Sequence, residues 1–131
     1  MAKRPDGRVA IVAAAACAGS AAAQIAYAAC MAGVIQFSNV VAVQYAGHGI
    51  RVNTVVPGQM HTPMVEARVA GQRAGGDVEA LLRSHVARIP PGFMGDGRDT
   101  AAAAWFLASD EARFVTGTEI VVDGGMTARC D

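Results

Sequence analysis

Charged side chains are missing from a long stretch near the start of this sequence. Residues 9–50 contain no Lys, Arg, Asp or Glu, although the 131-residue chain has 11 basic and 11 acidic residues. An uncharged segment of this length must be covered by protein or by lipid. The formal net charge of zero gives no basic footprint for nucleic acid. We therefore expect neither a nucleic-acid partner nor an anionic one.

The sequence also lacks a disulfide framework and a metal-binding motif. Its cysteines, Cys17, Cys30 and Cys130, are odd in number and show no CxxC spacing. Because the CxxC spacing is missing, we expect no metal site. Disulfides persist mainly in oxidising compartments, so we expect reduced thiols and a cytoplasmic location. Cys30 is expected to be a small hydrophobic residue of the core.

The N-terminal region allows two interpretations. A basic start, the apolar run Val9–Ala18 and the small residues Ser20–Ala23 are similar to a signal peptide. The same run also fits a buried strand, Arg8–Ala16, that leads into a small-residue loop. We favour the strand, because cleavage near Ala23 would remove it and expose the helix that follows.

The longest element that the sequence predicts is one helix over Gln24–Tyr45. Apolar residues fall on almost every face of it, so we expect the helix to be buried all round. We do not expect it to span a membrane, because its polar residues are scattered around it. Glycine at Gly47 and Gly49 favours a C-cap just after the helix.

Two strands flank this helix, Arg8–Ala16 and Ile50–Val56, in the strand–helix–strand order of a parallel sheet. The sequence therefore predicts a single α/β domain over residues 1–131. The remaining predicted elements are three helices and a last strand: Met64–Ala70, Val78–Arg88 capped by Asp77, a helix capped by Asp99 or Thr100 that runs to Ala108, and Thr118–Val122.

A set of motifs now points to one family. They are Tyr27 to Met31, Gly33 to Phe37, His48 to Asn53, Pro57-Gly58, Thr62 to Met64, Phe106 to Asp110, Thr116-Gly117 and Asp123 to Gly125. With them the chain resembles the short-chain dehydrogenase/reductases over essentially its whole length, but only the second half of their fold. The resemblance implies a partial Rossmann-like parallel sheet with flanking helices. Its strands would be the counterparts of the family's strands 5, 6 and 7, in three layers within an oligomer.

The resemblance also implies a degenerate active site. In the family a tyrosine is the general acid/base, and a lysine four residues later binds the nicotinamide ribose and favours the phenolate. A serine about thirteen residues before the tyrosine holds the substrate oxygen. Tyr27 matches the tyrosine, but Met31 stands at the lysine position and Ala14 or Ala16 at the serine position. A neutral thioether cannot favour a phenolate as a cation does.

The cofactor contacts are reduced in the same way. No GxGxxG or GxxxGxG occurs in this sequence, and a dinucleotide needs such a loop with a helix N-terminus behind it. By the resemblance, Pro57, Gly58 and Thr62 are vestigial contacts to the nicotinamide end, although they also fit a plain tight turn. We expect no cofactor for the isolated chain, and NAD(P) only if a partner supplies the nucleotide-binding half.

Single residues leave further alternatives open. Tyr27 fits either an acid or a packing residue with a bonded hydroxyl. His61 is a weak candidate for a base in the contact loop. Asn53 and Asp123 are expected to bond the backbone, as similar positions do in the family. Met60 is expected to fill the core or a pocket.

Three functions are compatible with these residues. The leading hypothesis is a pseudoenzyme of this family without autonomous redox activity, acting as an oligomeric structural or regulatory subunit. The alternative is a cofactor-independent isomerase, cyclase or dehydratase that holds an apolar small molecule, with Tyr27 as the acid. The third is an NAD(P)-dependent oxidoreductase completed by a partner chain. The expected partner is a second copy or a full-length relative, bound at helix 24–46 and at the open edge of strand 9–16.

Overall fold

A parallel sheet of three strands forms the centre of the chain. The computed structural model describes residues 8–13, 25–63 and 78–130. The strands are β1 (Arg8–Ala13), β2 (Ile50–Pro57) and β3 (Glu119–Val122), hydrogen-bonded in the order β1-β2-β3. Both pairs are parallel, with Arg8 opposite Ile50 and Thr54 opposite Glu119. The predicted α/β class and parallel sheet are confirmed.

In the described parts of the chain, three α-helices connect the strands. Helix α1 (Ile25–Tyr45) lies between β1 and β2, whereas α2 (Val78–Val86) and α3 (Gly97–Ala108) lie between β2 and β3. Helix α2 ends two residues before the predicted Arg88, because the backbone N–H groups of Arg88 and Ile89 donate to the third preceding carbonyl instead of the fourth. The predicted helix 64–70, the cap at Asp77, and Ala14 and Ala16 lie outside the described residues.

The central strand β2 is buried from Arg51 to Val56. Helix α1 packs on β2, and α3 packs against all three strands. The buried apolar side chains of the described residues therefore gather around β2: Ala42, Val52, Val55, Val56, Ile89, Leu107 and Ala112. Removing any element that packs on β2 would expose these buried side chains to water.

Polar side chains of β2 also hold the segment that precedes β3. The amide of Asn53, which is completely buried, donates to the Val115 carbonyl at 3.1 Å and accepts from the Thr118 N–H at 3.2 Å. Arg51 donates to the carbonyls of Val115 and Ser109, both at 3.2 Å. The prediction that Asn53 bonds the backbone is confirmed.

Helix α1 is far more exposed than its composition suggests. Within it only Ser38 and Ala42 are buried, while Phe37 is 67% and Val43 is 81% exposed. The expectation of a helix buried all round is wrong for the single chain, because α1 rests on the sheet along one side only. Cys30 is exposed too, so its expected place in the core is also wrong. By length and composition alone, the stretch Ile25–His48 could cross a membrane, a property that core helices of soluble proteins share.

Helix α3 begins with a reciprocal cap. Asp96, not Asp99 or Thr100 as predicted, is the N-cap: its carboxylate accepts from the Arg98 N–H at 2.7 Å. Asp99 stands at the third helical position and accepts from the Asp96 N–H at 2.7 Å. The Arg98 side chain also donates to Asp96, and this holds the pKa of the Asp96 carboxyl at about 2.

The two edges of the sheet differ. The outer edge of β1 carries no charged residue from Val9 to Ala13. The outer edge of β3 is only four residues long and bears the exposed Glu119. Short, charged strands resist further pairing, whereas apolar ones invite it.

The Asn53 amide predicts a matched pair of stability effects. Asn53→Ala should lower the free energy of unfolding by about 1–3 kcal/mol, because the Thr118 N–H loses its acceptor in the Asn53 side chain and the Val115 carbonyl keeps only its hydrogen bond from Arg51. Thr54→Val in the same strand should leave stability unchanged or raise it, since the buried Thr54 hydroxyl has no hydrogen-bond partner among the residues that the structure describes. Urea unfolding followed by circular dichroism measures both. An equal loss in the two variants would contradict this account.

The cap of α3 predicts a pH dependence. The folded-state pKa of Asp96 lies near 2, below its value of about 4 in an unfolded chain. Its stabilising effect should therefore be complete above pH 4 and disappear as the pH falls towards 2. Asp96→Asn keeps a capping side chain but loses the charge. The difference in urea midpoint between wild type and this variant should be larger at pH 6 than at pH 2; a constant difference would refute the assignment.

Candidate functional site

The candidate residues gather at one edge of the sheet. Because the strands are parallel, their carboxyl ends meet at the same edge. The N-terminus of α1, the loop 58–62 and the turn after Val122 all lie at this edge. Ligands of open α/β sheets bind at this kind of edge.

Tyr27 lies in the first turn of α1 with its side chain 41% exposed. In the described part of the chain its hydroxyl has no hydrogen-bond partner. Met31 follows one turn later on the same side of the helix and is partly buried. Since α1 contains no charged residue, it places no cation beside the phenol.

The loop after β2 is held by backbone contacts. The Gly58 N–H donates to the Val122 carbonyl at 2.9 Å, and a Cβ on Gly58 would lie 2.5 Å from the Cβ of Asp123. Gly58 is therefore required for close packing of this loop against the turn after β3. Farther along, the exposed His61 donates its backbone N–H to the Gly95 carbonyl at 2.7 Å, and Thr62 is half-buried.

The turn after β3 is organised by Asp123. Its carboxylate accepts from the Gly125 N–H at 2.8 Å, and from the N–H and hydroxyl of Thr127 at 2.8 and 2.6 Å. Partial burial alone would raise the pKa of Asp123, but the hydrogen bonds from Thr127 and Gly125 outweigh it, and the pKa lies below its usual value. The prediction that Asp123 bonds the backbone is confirmed.

A small cavity lies at this edge, and Met60, which we expected to fill the core or a pocket, is part of its lining. It has a volume of about 180 Å³ and is mostly apolar. Its lining consists of Gln59, Met60, Ile89, Pro91, Phe93, Gly95, Asp99, Val122, Asp123 and Gly124. The sequence signals were the turns at Pro90–Gly92 and Gly124–Gly125. They predict loops, but not that these loops enclose a space with Met60.

The described residues do not fit a dinucleotide. Gly58 serves the packing of its own loop, and the capped N-terminus of α3 already holds the carboxylates of Asp96 and Asp99. A phosphate would meet negative charge there instead of free N–H groups. Tyr27 has no cation on its helix. We therefore derive no hydride-transfer step from these residues.

Comparisons with known proteins agree with the fold. The family model described as "Enoyl-(Acyl carrier protein) reductase" matches residues 1–127. Oxidoreductase UcpA of Salmonella typhimurium is 38% identical over 130 residues, which is 97% of this chain and 48% of that protein. The 3beta-hydroxysteroid dehydrogenase 1 of Eggerthella lenta is 46% identical over 101 residues, covering 77% of this chain and 36% of that protein.

A solved structure supports the same assignment. The crystal structure of a short-chain dehydrogenase/reductase from Burkholderia xenovorans is 62% identical and superposes with a TM-score of 0.87. The match covers 96% of this chain and 48% of that one. The chain thus spans half or less of the length of these relatives. From the family match over residues 1–127 and this superposition, the chain belongs to the short-chain dehydrogenase/reductase family.

Proposed function

We propose that this chain has no redox activity of its own and acts as an oligomeric structural or regulatory subunit. The observation that carries the proposal is Met31, one turn from Tyr27 on a helix without any cation. In the family that position holds the lysine that binds the ribose and activates the tyrosine. Fold membership does not carry an activity whose polar groups are replaced.

The chemistry of the substitution is unfavourable for hydride transfer. A thioether neither donates a hydrogen bond nor carries a charge, so it cannot hold a ribose hydroxyl as an ammonium group does. A neutral neighbour also gives the phenolate form of Tyr27 no stabilisation. Proton transfer between Tyr27 and a substrate oxygen would therefore lack the ammonium group that stabilises the phenolate.

The partner in this proposal is a second copy or a full-length relative in the cytoplasm. The exposed apolar surface of α1 and the uncharged edge of β1 are the two surfaces that would bind it. No nucleic acid or membrane is part of the proposal.

A cofactor-independent enzyme is the second candidate. The half-exposed phenol of Tyr27 beside the apolar Met31 is what favours it, because an isomerisation, cyclisation or dehydration needs one acid and an apolar surface. A third candidate is an NAD(P)-dependent oxidoreductase completed by a partner chain. The open edge of β1 favours this one, since it offers six residues for pairing with another strand.

Dinucleotide binding tests the proposal. We expect isothermal titration calorimetry to show no binding of NADH or NADPH to the purified chain with a dissociation constant below about 1 mM. A dissociation constant of that size corresponds to a binding free energy of about 4 kcal/mol. Met31→Lys restores the missing charge and should not create binding by itself, because no phosphate loop accompanies it. A full-length relative is the positive control.

Any of three results would overturn the proposal. Micromolar binding of a dinucleotide to the purified chain would mean that the oligomer forms a complete cofactor site. Turnover of an apolar substrate without cofactor, lost in Tyr27→Phe, would establish the second candidate. Turnover with NADPH that exceeds the rate of the full-length relative alone, and that is lost when this chain carries Tyr27→Phe, would establish the third.

A further inference from the structure

The cavity beside Met60 is formed by segments to which the proposed function gives no role. Its walls come from the loop after β2, the segment between α2 and α3, the first turn of α3 and the turn after β3. Neither Tyr27 nor Met31 belongs to its lining, and nor do Pro57 and Thr62 of the resembled cofactor contacts. The cavity is therefore a space distinct from the degenerate active site.

Two glycines bring the walls of this cavity close together. A Cβ on Gly95 would lie 2.8 Å from the Met60 Sδ and 3.2 Å from the Asp99 Oδ2. Gly124, at a φ of +62°, approaches Ile89 in the same way, with 2.8 Å between a Cβ and the Ile89 Cγ2. Side chains at these two positions would push the walls apart, so the glycines maintain the shape of the cavity.

The size of the cavity limits what it can hold. An apolar cavity of about 150 Å³ admits benzene. This cavity has a volume of about 180 Å³ and a mostly apolar lining. It therefore has room for one six-membered ring with one short substituent. The exposed Phe93 lies at its mouth, whereas Ile89 is buried at its floor.

The charged side chains of the lining are both negative. They are Asp99 and Asp123, and among the described residues no basic side chain lines the cavity. Hydrogen bonds lower the pKa of Asp123, so this carboxyl is ionised at neutral pH. The nearby Arg98 does not neutralise the cavity, because its guanidinium is exposed and pairs with Asp96 at 2.6 Å. The lining thus favours a cation over an anion.

Two hydrogen-bond acceptors of the lining have capacity left. Asp99 accepts from the Asp96 N–H through Oδ2, which leaves its second oxygen for another donor. The Oε1 atom of Gln59 is buried and has no hydrogen-bond partner within the described part of the chain. A buried acceptor without a donor costs free energy. Because the terminal torsion of Gln is broad, the amide can turn this oxygen towards a donor inside the cavity.

We propose that this cavity binds a small hydrophobic primary amine as its ammonium ion. The ring of the ligand packs on Met60, Ile89 and Phe93, and the ammonium group donates to Asp99 and to the Gln59 Oε1. An ammonium group has three N–H donors, which suits a site that offers acceptors. Burial of a cation is costly unless it is paired, and the carboxylates provide that pairing. The inference does not depend on the proposed function.

Three probes of related shape test the chemistry of the site. In NMR titrations of the purified chain at pH 7, benzylamine should bind with a dissociation constant of about 1 mM or lower. Benzyl alcohol keeps the ring but lacks the charge, and should bind at least about tenfold more weakly. Methylammonium has the charge without the ring and should not bind measurably. Absence of benzylamine binding, or equal binding of benzyl alcohol, would overturn the proposal.

A pair of substitutions tests the assigned acceptor. Asp99→Asn keeps an oxygen for the Asp96 N–H but removes the charge, and should weaken benzylamine binding about tenfold. Glu119→Gln removes an exposed negative charge at the far end of β3 and should leave the affinity unchanged. Circular dichroism verifies that both variants are folded. An unchanged affinity in Asp99→Asn, or an equal loss in both variants, would refute the assignment.

Methyl resonances test the place of binding. Benzylamine should shift the methyl signal of Met60, which is assigned by its disappearance in Met60→Leu. The methyl signals of Val43, which is 81% exposed on α1, should not move. A shift at Val43 without one at Met60 would contradict binding in this cavity. None of these readouts depends on a dinucleotide or on oligomer formation, so their outcome is independent of the proposed function.

Discussion

The burial of β2 on both faces and both edges is the constraint on which the rest of the structure depends. A polar side chain buried in this strand is costly unless it bonds protein groups, because water is excluded, and the buried Thr54 hydroxyl finds no such group among the described residues. Asn53 and Arg51 do so by binding the carbonyls that precede β3. The same contacts therefore position β3 and the Asp123 turn, which in turn packs on Gly58. One buried amide thus links the core of the sheet to the geometry of its carboxyl edge.

The sequence predicts the elements well because their signals are local. Residue type and spacing identify three of them: the apolar strand that begins at Ile50, the uncharged helix before it, and the cap region of α3. The resemblance to the family supplies the parallel order, which local signals do not contain. The error over the cap of α3 has a simple cause: Asp96 and Asp99 are both good capping residues, and only the backbone decides which one precedes the first turn.

Burial was predicted less well, and α1 explains why. The composition of α1 shows that its apolar surface must be buried. It does not show whether residues of the same chain or of another chain bury it. A sheet of three strands covers one side, which accounts for Ser38 and Ala42 and leaves Cys30 and Phe37 exposed. A pocket role for Met60 was expected, but the other walls of its cavity could not be predicted, because they come from segments far apart in the sequence. Within the site, the sequence does predict the loss of the cation beside Tyr27, because the uncharged residue Met31 stands at that position.

The unequal edges of the sheet determine what kind of assembly edge pairing could build. If both edges accepted a strand, each copy could join one neighbour on either side and the sheet would grow without limit. Here β3 is short and carries Glu119, while β1 is longer and uncharged from Val9 onwards. Association through strands is therefore limited to one edge per copy. Pairing through this one edge joins two strands and then stops. It would give a closed assembly instead of a fibre.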